Sequence, residues 1–267
     1  MKLRLSILAT LVAALIMTPG APASSNATYY LSLGDSLATG YQPIGGPLKS
    51  GNAPPGYNQG YADQLFKLTR DRFEQLREVK LGCGGETTTT FRFGGICTYE
   101  QGSQLAAAEA FLHEHGDEVA LVTIDIGGND AINGGGVAEI AANLPTILGT
   151  LQDAAAPSVQ IVGMNYYHPF LPLVWFQTQD IGALQAEVSS AVAFNDFLEG
   201  IFQAFGVKVA DVENAFSLTD LTVQSDGLPL NVQRGCEWTW MCSDDDLHPN
   251  TDGYDVIAHA FADVLTS

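Results

Sequence analysis

Four short segments of the chain hold side chains whose types and spacing could do chemistry. Leu33-Gly34-Asp35-Ser36-Leu37 presents a hydroxyl, which becomes a nucleophile only where a base can take its proton. Near the other end of the chain, Asp244-Asp245-Asp246-Leu247-His248-Pro249 presents such a base. An Asp three residues ahead of the His, on a turn held by Pro249, can reach Nδ1 and leave Nε2 free to accept the serine proton. That spacing selects Asp245, with Asp244 as the alternative. Two glycine-rich segments, Gly82-Cys83-Gly84-Gly85-Glu86-Thr87 and Ile126-Gly127-Gly128-Asn129-Asp130, offer donors instead. Glycine lets a backbone N–H come close to a ligand, and an asparagine amide at a strand end can donate to an oxyanion. Taken singly, each segment also reads as an ordinary cap or turn.

The elements that must position these segments are legible in the hydrophobic pattern. Strand-like runs occur at 28–33, 78–81, 119–126, 159–163 and 207–210. Helical spacing occurs over 59–72, 103–115, 137–153, 182–205 and 251–265. The run at 119–126 is almost wholly apolar, as expected of a parallel strand covered on both faces. Alternation of this kind predicts an α/β fold, a three-layer α/β/α sandwich with right-handed crossovers and a parallel sheet of about five strands. In such sheets ligands bind beyond the carboxyl ends of the strands. The serine and the two glycine-rich segments each fall just after a strand, and the histidine segment falls just before the last helix. His168 follows the fourth strand and is placed to line the same cleft. The Gly- and Pro-rich loop at 40–57 and the aromatic stretch 166–176 are candidates for the walls of an acyl pocket.

Composition narrows the setting. Lys2 and Arg4, an apolar stretch from Leu5 to Met17 and small residues up to Ala23 form a secretory signal peptide over residues 1–23, too short in its apolar part for a membrane span. Residues 24–267 then form one domain, expected outside the cell as a monomer with no stable membrane insertion. With 30 acidic against 11 basic residues the chain carries a formal charge of −19, which disfavours nucleic acid as a partner. No recognisable calcium loop accompanies the acidic runs. The four cysteines fit an oxidising compartment. Of their three pairings, Cys83 with Cys97 and Cys236 with Cys242 close the shortest loops, and the first is worth about 3 kcal/mol in the chain-entropy picture.

In order and spacing, the blocks Gly34-Asp35-Ser36, Gly85-Glu86-Thr87, Gly127-Gly128-Asn129-Asp130 and Asp245-Asp246-Leu247-His248 resemble the SGNH (GDSL) hydrolase family of esterases and lipases. The resemblance spans nearly all of residues 24–267. It implies a flavodoxin-like sandwich, with Ser36 as nucleophile, His248 as base and Asp245 orienting the histidine. It also implies an oxyanion hole built from the Ser36 amide, the Gly85 amide and the Asn129 side chain, with Gly84 the alternative to Gly85. The reaction implied is hydrolysis of carboxylic esters, either lipid or short- to medium-chain acyl esters, through an acyl-enzyme and with no cofactor or metal. Carbohydrate O-acetyl esters are the rival substrate, and a non-catalytic sugar- or surface-binding protein on the same scaffold is the rival class. The GxSxG elbow of α/β-hydrolases is absent.

Overall fold

The apolar runs pair as five parallel strands in the computed structural model, which describes residues 29–43, 51–52, 58–73, 75–133 and 135–266. The expected signal peptide and most of the 40–57 loop lie outside the described residues. The strands are β1 (Tyr29–Gly34), β2 (Arg77–Lys80), β3 (Val119–Asp125), β4 (Gln160–Met164) and β5 (Lys208–Ala210). Their order in the sheet is β2-β1-β3-β4-β5, with every neighbouring pair parallel. The strand order reverses beside β1, so the β1/β3 seam is the topological switch point where a crevice opens. A short antiparallel ribbon pairs Gly51–Asn52 with Cys83–Gly84.

Side-chain alternation along the strands builds two cores. On one face Tyr30, Leu121 and Val162 pack with Tyr61 and Leu65 of α2 (Tyr61–Thr69) and with Tyr254, Ile257 and Phe261 of the C-terminal helix Thr251–Val264. On the other face Leu31, Leu33, Val122 and Ile124 pack with three helices, α4 (Gln104–His115), α6 (Gly136–Ala154) and α8 (Ile181–Ala204). All seven residues of β3 are buried, as expected of a strand with helices on both sides. Short helices α1 (Ser36–Thr39), α3 (Thr88–Phe93), α5 (Gly128–Asn133) and α7 (Leu171–Thr178) intervene along the chain. Of these, α1 and α5 begin within motif segments, and α3 directly follows one. Disulfides join Cys83 to Cys97 and Cys236 to Cys242.

Candidate active site

β1 delivers Ser36 to the carboxyl edge of the sheet through a tight junction. Gly34 has φ of +135°, and a Cβ there would lie 2.2 Å from the Asp125 carbonyl oxygen, so only glycine fits between the two central strands. Asp35 then caps α1, its Oδ1 accepting the Leu37 N–H at 2.9 Å. Ser36 is the first residue of that helix, where the N–H has no partner within the helix. Its side chain is nearly buried, with 7% of the residue exposed.

His248 arrives from the opposite end of the chain. The segment is pinned by Trp240 N–H donating to the His248 carbonyl at 3.0 Å and by a bridge between Thr239 and Pro249. Helix Thr251–Val264 then starts at its cap, Asn250. The imidazole Nε2 stands 2.8 Å from Ser36 Oγ, and the edge of its ring lies against Tyr41, 4.5 Å between centroids. Only 3% of His248 is exposed.

The acid partner differs from the expected one. Asp246, not Asp245, holds His248: its Oδ1 lies 2.6 Å from Nδ1 and also accepts the His248 backbone N–H at 3.0 Å. The cause is backbone conformation. Asp245 takes φ of +52° and ends the single turn Met241–Asp244, which leaves its side chain in solvent. The chain is then carried round so that the next carboxylate closes an Asx turn on the residue two further on. Asp246 is buried beside the ring it holds. The working spacing is therefore Asp-x-His, and Asp244 and Asp245 are both exposed.

The two glycine-rich segments meet beside the serine. Gly85 takes φ of +86°, a left-handed position that suits glycine, and follows the short ribbon that ends at Gly84. The Cys83–Cys97 disulfide ties the start of this segment down. Asn129, in the first turn of α5, donates from Nδ2 to Asp35 Oδ2 at 3.2 Å and to the Glu86 carbonyl at 3.0 Å. These bonds fasten the Asn129 loop to the Asp35-Ser36 turn and to the Gly85-Glu86 turn. The amide thus already donates to two acceptors, so an oxyanion bound there would share or displace one of these bonds. Asp130 plays a supporting part, accepting from the N–H of Thr88 at 2.9 Å and from its hydroxyl.

Beneath these groups lies a buried polar network that motif reading alone does not find. Asp125 Oδ2 accepts the Asp35 N–H at 3.1 Å, and Tyr61 O–H donates to Asp125 Oδ1 at 2.5 Å. Gln104 bonds both backbone groups of Gly34, at 2.7 and 2.9 Å, and donates to Glu86 Oε2 at 3.0 Å. Burial pushes the carboxyls of Asp35, Asp125, Glu86 and Asp130 above the ordinary carboxylate range. A signal was present in the sequence: Asp125 and Gln104 are polar residues set in otherwise apolar strand and helix faces.

A cavity of about 680 Å³ opens beside α5. Its lining includes Gly128, Ile132, Val137, Tyr167, His168 and Phe194. Tyr167 O–H donates to the carbonyl of Leu247, next to His248, so the cavity wall and the His248 turn are one unit. His168 does line this space, paired with Glu187 at 2.8 Å. Of the aromatic stretch, 166–170 lines the cavity, whereas Trp175 packs with Leu184 and Val232 in a separate small core. A depression of about 800 Å³ along the edge strand β5 contains none of these groups.

A serine hydroxyl on an imidazole on a buried carboxylate is an arrangement able to generate an alkoxide-like nucleophile at neutral pH. The sequence profile of the GDSL-like Lipase/Acylhydrolase family matches residues 32–256. No curated protein matches the chain in sequence. Among solved structures, the chain is similar to a GDSL-like lipase from Parabacteroides merdae, with 15% identity, a TM-score of 0.59, and 89% of this chain and 94% of that chain covered. It is also similar to an extracellular lipase from Streptomyces rimosus, with 19% identity, a TM-score of 0.52 and coverage of 90% and 100%. An acetyl xylan esterase aligns with 13% identity, a TM-score of 0.54 and coverage of 89% and 100%. At these identities the structural likeness speaks to the fold alone.

Proposed function

The chain belongs to the GDSL-like lipase/acylhydrolase family, and from that premise we propose that it is a secreted serine hydrolase of short- to medium-chain carboxylic esters. The observation that carries the reading is the continuous chain from Ser36 Oγ to His248 Nε2 at 2.8 Å and from Nδ1 to Asp246 at 2.6 Å. His248 takes the hydroxyl proton as Ser36 Oγ attacks the ester carbonyl. The Ser36 and Gly85 amides and the Asn129 side chain stabilise the tetrahedral oxyanion. His248 then protonates the leaving alcohol, and the same imidazole activates the water that releases the acid from Ser36. Asp246 keeps the ring in the required tautomer and balances its positive charge.

The cavity beside α5 supports an acyl chain as the group recognised. Ile132, Val137, Phe194 and His168 all line it, and its volume suits a chain longer than acetyl. Secretion is supported by the signal-peptide pattern of residues 1–23 and by two disulfides. No helix among the described residues is long and apolar enough to cross a membrane. Hydrolysis of p-nitrophenyl esters from acetyl to palmitoyl tests the proposal. Highest kcat/KM between butyryl and decanoyl is expected. A maximum at acetyl would replace it with the O-acetyl esterase reading, and no hydrolysis at any length would refute the acyl-ester assignment.

A further inference from the structure

One buried side chain joins the two turns that carry the proposed oxyanion amides, and the mechanism above does not use it. Gln104 is the first residue of α4, at a helix start capped by Ser103, whose Oγ accepts the Ala106 N–H at 3.2 Å. It is 0% exposed. Strand β2 leaves β1 at Leu81, whose N–H donates to the Ser32 carbonyl at 2.9 Å. Gly34, two residues on and buried, presents its backbone to the same side of β1, so its N–H and carbonyl need partners from elsewhere. Gln104 supplies both: Oε1 accepts the Gly34 N–H at 2.7 Å, and Nε2 donates to the Gly34 carbonyl at 2.9 Å.

The same amide reaches the other turn. Nε2 also donates to Glu86 Oε2 at 3.0 Å, and Glu86 is 1% exposed. Glu86 directly follows Gly85. Its own N–H donates to the Cys83 carbonyl at 3.1 Å, and its carbonyl accepts from Asn129 Nδ2 at 3.0 Å. Resting on the assignment of the Ser36 amide, the Gly85 amide and Asn129 to the oxyanion hole, we propose that Gln104 is a positioning residue for that hole. Its amide sets the separation of the Gly34–Ser36 turn from the Gly85–Glu86 turn, and with it the convergence of the two backbone donors.

The residue type matters. A carboxamide offers one acceptor and two donors on a flat, rigid group, and here it serves an N–H, a backbone carbonyl and a carboxylate at once. A glutamate in its place would lack the donors and set a second carboxylate against Glu86. A hydrocarbon would leave the Gly34 N–H and carbonyl buried and unpaired. Either change shifts one turn relative to the other, and Ser36 lies only two residues beyond Gly34. A hole of this kind works because its donors are already in place when charge develops on the substrate oxygen. A residue that fixes their spacing therefore acts on the transition state more than on the bound ester.

The test uses the full-length chain carrying Gln104→Met, Gln104→Glu, Glu86→Leu, or the first and third together, each with a thermal melt. Gln104→Met keeps the length of the side chain and loses its hydrogen bonds. Its kcat on a p-nitrophenyl ester is expected to fall about 10²-fold at nearly unchanged KM, the scale of a group displaced by about 1 Å. An alkyl trifluoromethyl ketone, which forms a tetrahedral oxyanion adduct with the serine, should lose affinity by a similar factor. The matching secondary alcohol, which forms no adduct, should bind as it does to the wild type. Glu86→Leu should cost less than Gln104→Met, and the double variant should be within about 2-fold of Gln104→Met, because the same linkage is already broken. Should Gln104→Met fail to fold, Gln104→Glu, of the same shape as the native residue, carries the same two readouts. A lowered melting temperature with kcat and ketone affinity unchanged, or a raised KM at unchanged kcat, would overturn the proposal and leave the functional reading standing. A wild type without Ser36-dependent hydrolysis would overturn the functional reading, and the proposal with it.

Discussion

Replacing Asp246 by Asn should cost about 10⁴-fold in kcat, the scale seen when a triad acid loses its charge. The magnitude follows from how this carboxylate is used. One oxygen, Oδ1, serves both the backbone N–H of His248 at 3.0 Å and ring Nδ1 at 2.6 Å. The side chains of His248 and Asp246 are only 4% and 9% exposed, so little solvent screens the ion pair that forms when the ring takes the serine proton. A pair of charges about 4 Å apart at an effective dielectric of about 20 is worth roughly 4 kcal/mol. Loss of the correct tautomer adds to this, because an amide can present N–H to the ring, and about 5.5 kcal/mol corresponds to the predicted 10⁴-fold. Asp245→Asn is the matched control: that side chain lies in solvent, and Asn tolerates the left-handed φ of +52°. Its kcat should stay within about 2-fold of wild type, since exposed charges contribute little. Initial rates on a p-nitrophenyl ester, with thermal melts to confirm folding, measure both. A collapse in Asp245→Asn with an active Asp246→Asn would refute the geometric argument.

Two further outcomes are expected. Asn129→Ala should lower kcat by about 10²–10³-fold, the usual cost of one oxyanion donor; because it also strips the Glu86 carbonyl of a donor, its melting temperature should fall, and an unchanged kcat would remove Asn129 from the oxyanion hole. Glu78, raised to about 7 by burial and by repulsion from Asp63, should make the protein pH-sensitive. A raised carboxyl contributes stability that is fully present below its unfolded value and lost as pH climbs through its folded value. Glu78→Gln should therefore gain on the wild type between pH 4 and pH 8, by up to about 3 kcal/mol, and a difference in unfolding free energy independent of pH would contradict this.

How far the sequence alone reached depends on what each residue needs from its neighbours. β3 and the long helices could be read because their apolar spacing is a local property that the sheet only confirms. The strand order followed less directly, since parallel pairing depends on contacts between segments tens of residues apart, such as Gly34 with Asp125. Ser36 and His248 were legible because their blocks sit at element ends, although 212 positions separate them. The acid was not, because the choice between Asp245 and Asp246 turns on a single left-handed residue, and three consecutive aspartates give no sequence cue to it. The Asp35–Asp125–Tyr61 network was hidden for another reason. Asp125 sits in an apolar strand as an apparent exception, and only packing shows that Tyr61, from a separate helix, meets it. Helix α7 (Leu171–Thr178) also escaped the pattern reading, being apolar nearly all round and therefore without a helical stripe.

The proposed chemistry depends above all on activation of Ser36 by His248. A fluorophosphonate reacts only with such a serine, so labelling the folded protein at neutral pH and locating the adduct by peptide mass spectrometry tests it most directly. Stoichiometric modification at Ser36 with parallel loss of ester hydrolysis is expected, and no modification in Ser36→Ala or His248→Ala. An adduct on a different residue, or an unlabelled wild-type protein that still hydrolyses esters, would contradict it.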